Sequence, residues 1–216
     1  MSTRILSCKT IEPELTAAMA RAGCAQEVRW LESGLHNVPR KLNRRLQELL
    51  DQCGDADTVL LAMSFCGNSI VGLRTGNFRL IIPRCDDCIT LLLGSLDARM
   101  RHKATYFLTE GWMAGERNIW REYEECLGKY GEEKGKWIMS MMLEHYRNIA
   151  LVDSGCFTKA GVDREARQIA EKLELTYQRI PGTLDHLTQL LTGPWPESRF
   201  AVIPPYTTIT AEDCRF

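Results

Sequence analysis

Apolar runs of strand length alternate along this chain with amphipathic stretches of helix length. Residues 4–7, 27–31, 58–63 and 78–83 read as the first four strands. The run at 58–63 is continuously apolar, as a central parallel strand covered on both faces requires. Helices fall between them. One spans 13–21, with Gly23 just past its end; another starts at Pro39 and repeats Leu42, Leu46, Leu49 and Leu50 at helical spacing. Asp86 or Asp87 is placed to cap a helix over 88–93 that ends at Gly94. The rhythm changes over 99–147. A short strand at 106–108 leads into two charged, aromatic-rich helices over 117–129 and 132–147. It then resumes with strands at 149–153, 176–180 and 200–203 and helices at 162–173 and 184–191. This alternation predicts an α/β fold: a mostly parallel, Rossmann-like sheet flanked by helices. Right-handed crossovers then bring the strand C-termini to one edge. The chain reads as a single domain over 1–216, with 99–147 a helical insertion placed to act as a lid.

Composition narrows the class. At 216 residues, 44% hydrophobic and 25% charged, the chain has the make-up of a soluble globular domain. A net charge of -1 without long single-sign blocks argues against nucleic acid or an anionic membrane as partner. No run approaches the roughly 18 apolar residues of a membrane span, and no signal-peptide pattern opens the chain, so a cytoplasmic location is expected. Nine cysteines is a high and odd count. Without a secretion signal, reduced thiols are expected rather than a disulfide framework.

Three of those cysteines set the candidate chemistry. Cys8, Cys66 and Cys88 each follow a predicted strand, and strand ends on one sheet edge share a crevice where such folds bind ligands. Three thiolates there suit a [4Fe-4S] cluster with one open iron, or Zn²⁺ with an open fourth position. Cys85 stands with Cys88 in a C-x-x-C and is a candidate fourth ligand, a resolving thiol or a spectator. Gly67 and Asn68 offer backbone N–H groups beside Cys66, and Arg84 offers charge compensation for a cluster. His36 in the second loop, Arg74, and His145 in the predicted insertion are candidate catalytic groups. Cys156 follows another strand end and is a further candidate for the crevice, with Trp112 and Tyr146 as apolar cover. The other cysteines read as packing or surface thiols. No Walker loop, G-x-G-x-x-G, H-x-x-x-H or G-x-S-x-G is present, which argues against the usual nucleotide sites.

Longer motifs add a family likeness. Ile5-Leu6-Ser7-Cys8, Trp30-Leu31-Glu32-Ser33-Gly34-Leu35-His36-Asn37 and Phe65-Cys66-Gly67-Asn68 with Gly72-Leu73-Arg74 resemble the bacterial and archaeal family catalogued as domain of unknown function 1638. So do Ile82-Pro83-Arg84, Asp87-Cys88-Ile89-Thr90, Thr109-Glu110-Gly111-Trp112, and Met142-Leu143-Glu144-His145-Tyr146 with Leu151-Val152-Asp153-Ser154-Gly155. The resemblance implies cysteines at positions 8, 66 and 88. Asp86 departs from the family pattern, where a His is usual, and Cys85 is an addition. The resemblance also implies a setting near corrinoid-dependent methyltransferase systems and one-carbon metabolism in anaerobes.

The expectation is therefore a cysteine-ligated metalloprotein, foremost one carrying a [4Fe-4S] cluster, acting as a metal-dependent transferase or lyase on a small-molecule substrate. Two alternatives stand beside it. One is a zinc-thiolate methyl- or sulfur-transfer enzyme. The other is a non-enzymatic accessory protein that docks on a corrinoid protein or methyltransferase. Self-association into a homo-oligomer is left open.

Overall fold

In β3 (Thr58–Ala62) every residue is buried. Val59 and Leu61 face one core, while Leu60 and Ala62 face another. This is the period-two consequence of a strand covered on both sides. The computed structural model that shows this describes residues 2–66 and 68–214. β3 pairs in parallel with β1 (Thr3–Cys8) and β4 (Arg79–Pro83), and β1 pairs in parallel with β2 (Val28–Leu31). β8 (Phe200–Ile203) closes the far edge antiparallel to β4, giving the order β2-β1-β3-β4-β8. The fold is thus a mostly parallel, Rossmann-like α/β arrangement.

A second sheet of three parallel strands accompanies the first: β5 (Thr105–Leu108), β6 (Asn148–Asp153) and β7 (Thr176–Pro181). Hydropathy marks a strand but not the sheet it joins. The β4 edge is already taken by β8, in register from Leu80–Ile203 to Pro83–Phe200, so these strands pair among themselves.

Helices sort into three layers. α1 (Glu12–Ala22), α3 (Cys88–Leu93) and α9 (Asp185–Thr192) lie between the sheets; Leu15, Leu91 and Leu187 share a core with Leu60 of the first sheet and Ala150 and Val152 of the second. α2 (Pro39–Leu50) covers the outer face of the first sheet through the four leucines read from the sequence. The outer face of the second sheet is covered by α5 (Glu110–Met113), α6 (Ile119–Tyr130), α7 (Glu132–Met142) and α8 (Val162–Lys172). The helices of 99–147 therefore pack on the second sheet. α4 (Leu96–Met100), β5 and α5 are the parts of that segment that adjoin the crevice described below, with Tyr146.

Connections after β1 and β3 diverge. α1 follows β1 on the inner face, whereas the loop after β3 buries Phe65, Ile70 and Leu73 on the outer face. This is the topological switch point at which open α/β sheets leave a ligand crevice. No helix among the described residues is long and apolar enough to cross a membrane.

Candidate functional site

Cys8 is the last residue of β1 and precedes a 3₁₀ turn at Lys9–Ile11. Its Sγ lies 3.1 Å from Thr10 Oγ1. Past β3 the parallel pairing with the β4 strand continues beyond the strands. The Phe65 N–H donates to Cys85 O at 3.1 Å, and the Cys66 N–H donates to Asp86 O at 2.9 Å. That ladder sets Cys66 beside the start of α3. Cys66 itself has φ 43° and Asn68 has φ 63°. A left-handed conformation costs a non-glycine residue about 1–2 kcal/mol, and such strain collects at functional sites. The turn is held by the Ser69 N–H and Ser69 Oγ, both 3.2 Å from Phe65 O. Asp87 caps α3 by accepting the Thr90 N–H at 2.7 Å, which makes Cys88 the first helical residue. The three thiols so placed line one cavity of about 380 Å³.

Their electrostatics are unequal. Ser64 Oγ lies 3.3 Å from Cys66 Sγ and 3.7 Å from Cys88 Sγ. The Cys88 thiol donates to Cys66, and this bond with the Ser64 hydroxyl lowers the Cys66 pKa below its ordinary value against the opposing effect of burial. Donation to Cys66, burial and the charge on Cys66 push Cys88 well up. Burial, then the charge of Cys88, raise Cys8 to about 11, although hydrogen bonds from Thr10 oppose them. Of the three, Cys66 is therefore the thiol whose ionisation the surroundings favour.

Aromatic groups and one arginine form the opposite wall. The His36 ring packs 5.1 Å from Trp112, and Tyr106 meets Tyr146 edge-on at 5.5 Å. Trp112 Nε1 donates to the Tyr106 hydroxyl at 3.2 Å. The Arg99 guanidinium lies 4.3 Å over Phe107, and its Nε is 3.6 Å from Asp87 Oδ2. This wall is locked to the Cys8 turn by α5. Thr109 Oγ1 donates to Thr10 O at 2.7 Å, and a Cβ on Gly111 would come within 2.6 Å of Thr10 O. Only glycine permits so close an approach.

Of the residues expected at the site, Cys8, Cys66, Cys88 and His36 are brought together. Cys85 is not among them. It is buried in the core between the sheets, where burial and the neighbouring Cys88 push its thiol up. Cys156 packs against that same core near Glu14 and Glu110, and its pKa is raised to about 12, mainly by burial. Arg84 Nη1 donates to Asp213 O at 3.1 Å and does not line the cavity. Arg74 is exposed and bridged to Thr208, beside a separate hollow next to Leu50. Asn68 is exposed, and Gly67 lies outside the described residues. His145 falls in the turn after α7 rather than in a helix; its side chain is 88% exposed beside Glu144 and points to no part of the crevice. Ser64, Thr10, Arg99 and Tyr106 were not anticipated. The two hydroxyl residues carry a weak signal, each two positions from a site cysteine. Arg99 and Tyr106 carry none, because their place depends on how the second sheet packs on the first.

Among the described residues, no three or more His, Cys, Asp or Glu side chains are arranged to hold a metal ion. The donor set nonetheless suits a larger thiolate-bound centre: three cysteines, from the end of β1, the loop after β3 and the start of α3, line one cavity, where Arg99 is the sole lining Lys or Arg among the described residues and already faces Asp87.

No curated protein and no solved structure matches this chain. The model of the family described as Protein of unknown function (DUF1638) matches residues 30–191, a span that includes Cys66, Cys88 and the whole aromatic wall and begins after Cys8. With well over half its length covered, the chain belongs to the DUF1638 family.

Proposed function

We propose that this protein is a cysteine-ligated metalloprotein whose Cys8, Cys66 and Cys88 hold a [4Fe-4S] cluster with one iron open to the cavity. The observation that carries this reading is the convergence of three thiols from β1, the β3 loop and α3 at the switch point of the sheet. Three neighbouring thiolates repel one another and each resists ionisation when buried. A cationic centre removes both penalties, which gives a reason to gather them. Thiolate is the soft ligand that both an iron–sulfur cluster and the zinc alternative take, and three such ligands leave a fourth position open to substrate in either. When bound, such a cluster supplies a Lewis-acidic or redox-active iron. The chain supplies the rest: His36, Trp112, Tyr106 and Arg99 on the wall opposite the thiols, and an apolar lining that limits water. A small organic molecule is the class of substrate such a cavity takes. The corrinoid and one-carbon setting rests on family resemblance. Elemental analysis of protein purified without oxygen tests the reading. Iron and sulfide in matching amounts with visible absorption support it; zinc without colour supports the alternative; no metal after reconstitution rules out both.

A second reading has one observation in its favour. Cys66, its thiol pKa lowered by the hydrogen bonds of Cys88 and Ser64 and its backbone held in a strained turn, also has the arrangement of a metal-free nucleophile. A covalent adduct at Cys66 in metal-free, active protein would favour it.

A further inference from the structure

Hydrogen-bond donors without acceptors gather on the wall facing the thiols. Arg99 brings five N–H groups. Its side chain makes no hydrogen bond to any described residue, and its Nε is buried without a hydrogen-bond partner. What holds it is indirect: the face of Phe107 at 4.3 Å and the charge of Asp87 at 3.6 Å. That support leaves the guanidinium fork without an acceptor. Tyr106 is the second donor. Its oxygen accepts from Trp112 Nε1, so its own O–H is left to donate, and no described residue accepts it. Burial raises the Tyr106 pKa to about 12, which keeps that proton in place at neutral pH.

We propose that Arg99, assisted by Tyr106, receives the carboxylate of a small organic acid whose other end reaches the thiol-lined floor. A planar guanidinium matches a carboxylate with two parallel hydrogen bonds, and a phenol adds a third. Leu35, Leu42, Met63 and Ile89 give the remaining wall an apolar character suited to a carbon skeleton rather than a bare inorganic ion. Asp86 and Asp87 on the same cavity disfavour a polyanion such as a nucleoside phosphate. The assignment rests on this cavity being the functional site, and not on what the thiols hold.

Size-matched alkylation tests it on the full-length, reduced chain without added metal. Iodoacetate and iodoacetamide share a size and a leaving group and differ in charge. Rates at each cysteine are read by mass spectrometry, with Cys24, which does not line the cavity, as internal control. The expected ratio of iodoacetate to iodoacetamide rates is about tenfold higher at Cys66 than at Cys24. Arg99→Gln is expected to remove that preference while leaving the iodoacetamide rate within about twofold. A second measurement needs no variant: propionate, but not propionamide at equal ionic strength, slows iodoacetamide at Cys66 of the unaltered protein. Equal ratios at Cys66 and Cys24, a preference that survives Arg99→Gln, or no protection by propionate would each overturn the proposal. Metal analysis is independent of all three results, so failure here and failure of the cluster reading are told apart.

Discussion

Glu14 is fully buried in α1, and neither of its carboxyl oxygens has a hydrogen-bond partner among the described residues. Burial, with a smaller contribution from the charge of Glu110, raises its pKa from 4.5 to about 7. Glu110 meets its own needs separately. Its oxygens accept from the Thr158 N–H at 2.7 Å, the Thr158 hydroxyl at 2.5 Å and the Lys159 N–H at 3.0 Å. Glu14 thus has a folded pKa above its unfolded one. Its share of stability is intact below about pH 4.5 and is lost progressively as pH rises through about 7. At roughly 1.4 kcal/mol for each pKa unit, the loss saturates at about 3 kcal/mol. Glu14→Gln keeps the shape of the protonated acid and cannot ionise. Urea unfolding of both proteins between about pH 5 and about pH 9 measures the effect, with the slope in denaturant checked for constancy. The variant is expected to gain on the unaltered protein up to a little above about pH 7 and then to level off, at about 3 kcal/mol. Stability curves that run parallel over the whole range would refute the reasoning, since the gap must depend on pH if one buried proton is responsible.

Other consequences follow from the same geometry. Gly111→Ala forces a methyl group against the backbone of the Cys8 turn and is expected to cost about 1–3 kcal/mol, read as a lowered unfolding midpoint. Asp87→Ala removes the cap of α3 and the acid facing Arg99, and is expected to cost about 1 kcal/mol by chemical denaturation. In reduced, metal-free protein at neutral pH, iodoacetamide is expected to modify Cys66 well before Cys8, whose pKa is raised to about 11, and to reach Cys85 only on unfolding, as mapped by peptide mass spectrometry.

Patterning along the chain made the elements legible where one physical cause dominates. The continuous apolar run of β3 and the leucine repeat of α2 record burial directly, and Asp87 and Gly94 mark the two ends of α3 as a cap and a left-handed stop. Convergence of Cys8, Cys66 and Cys88 was also legible, because it follows from parallel strands and their order. What the pattern does not encode is which surface meets which. The strand at 106–108 carries no mark that it starts a second sheet, so Arg99 and Tyr106 could not be placed. Cys85 is two residues past β4 and close to Cys88 in sequence, yet it turns into the core between the sheets; C-x-x-C spacing does not fix the side of a loop. The helix expected over 132–147 stops at Met142, which leaves His145 in a solvent-exposed turn while Tyr146 reaches back to Tyr106. Glu14 sits in a first helical turn, where an acid is favoured by the helix dipole whether or not it is buried. Its burial depends on the second sheet too, through Glu110 and the Cys156 segment.

Iron and sulfide content in single-cysteine variants, prepared and reconstituted without oxygen, bears most directly on the central claim. Cys8→Ser, Cys66→Ser and Cys88→Ser are each expected to lose the cluster and its visible absorption, whereas Cys85→Ser and Cys156→Ser retain both. A protein that stays colourless and iron-free after reconstitution, or one whose iron is unaffected by loss of Cys8, Cys66 or Cys88, would contradict the account.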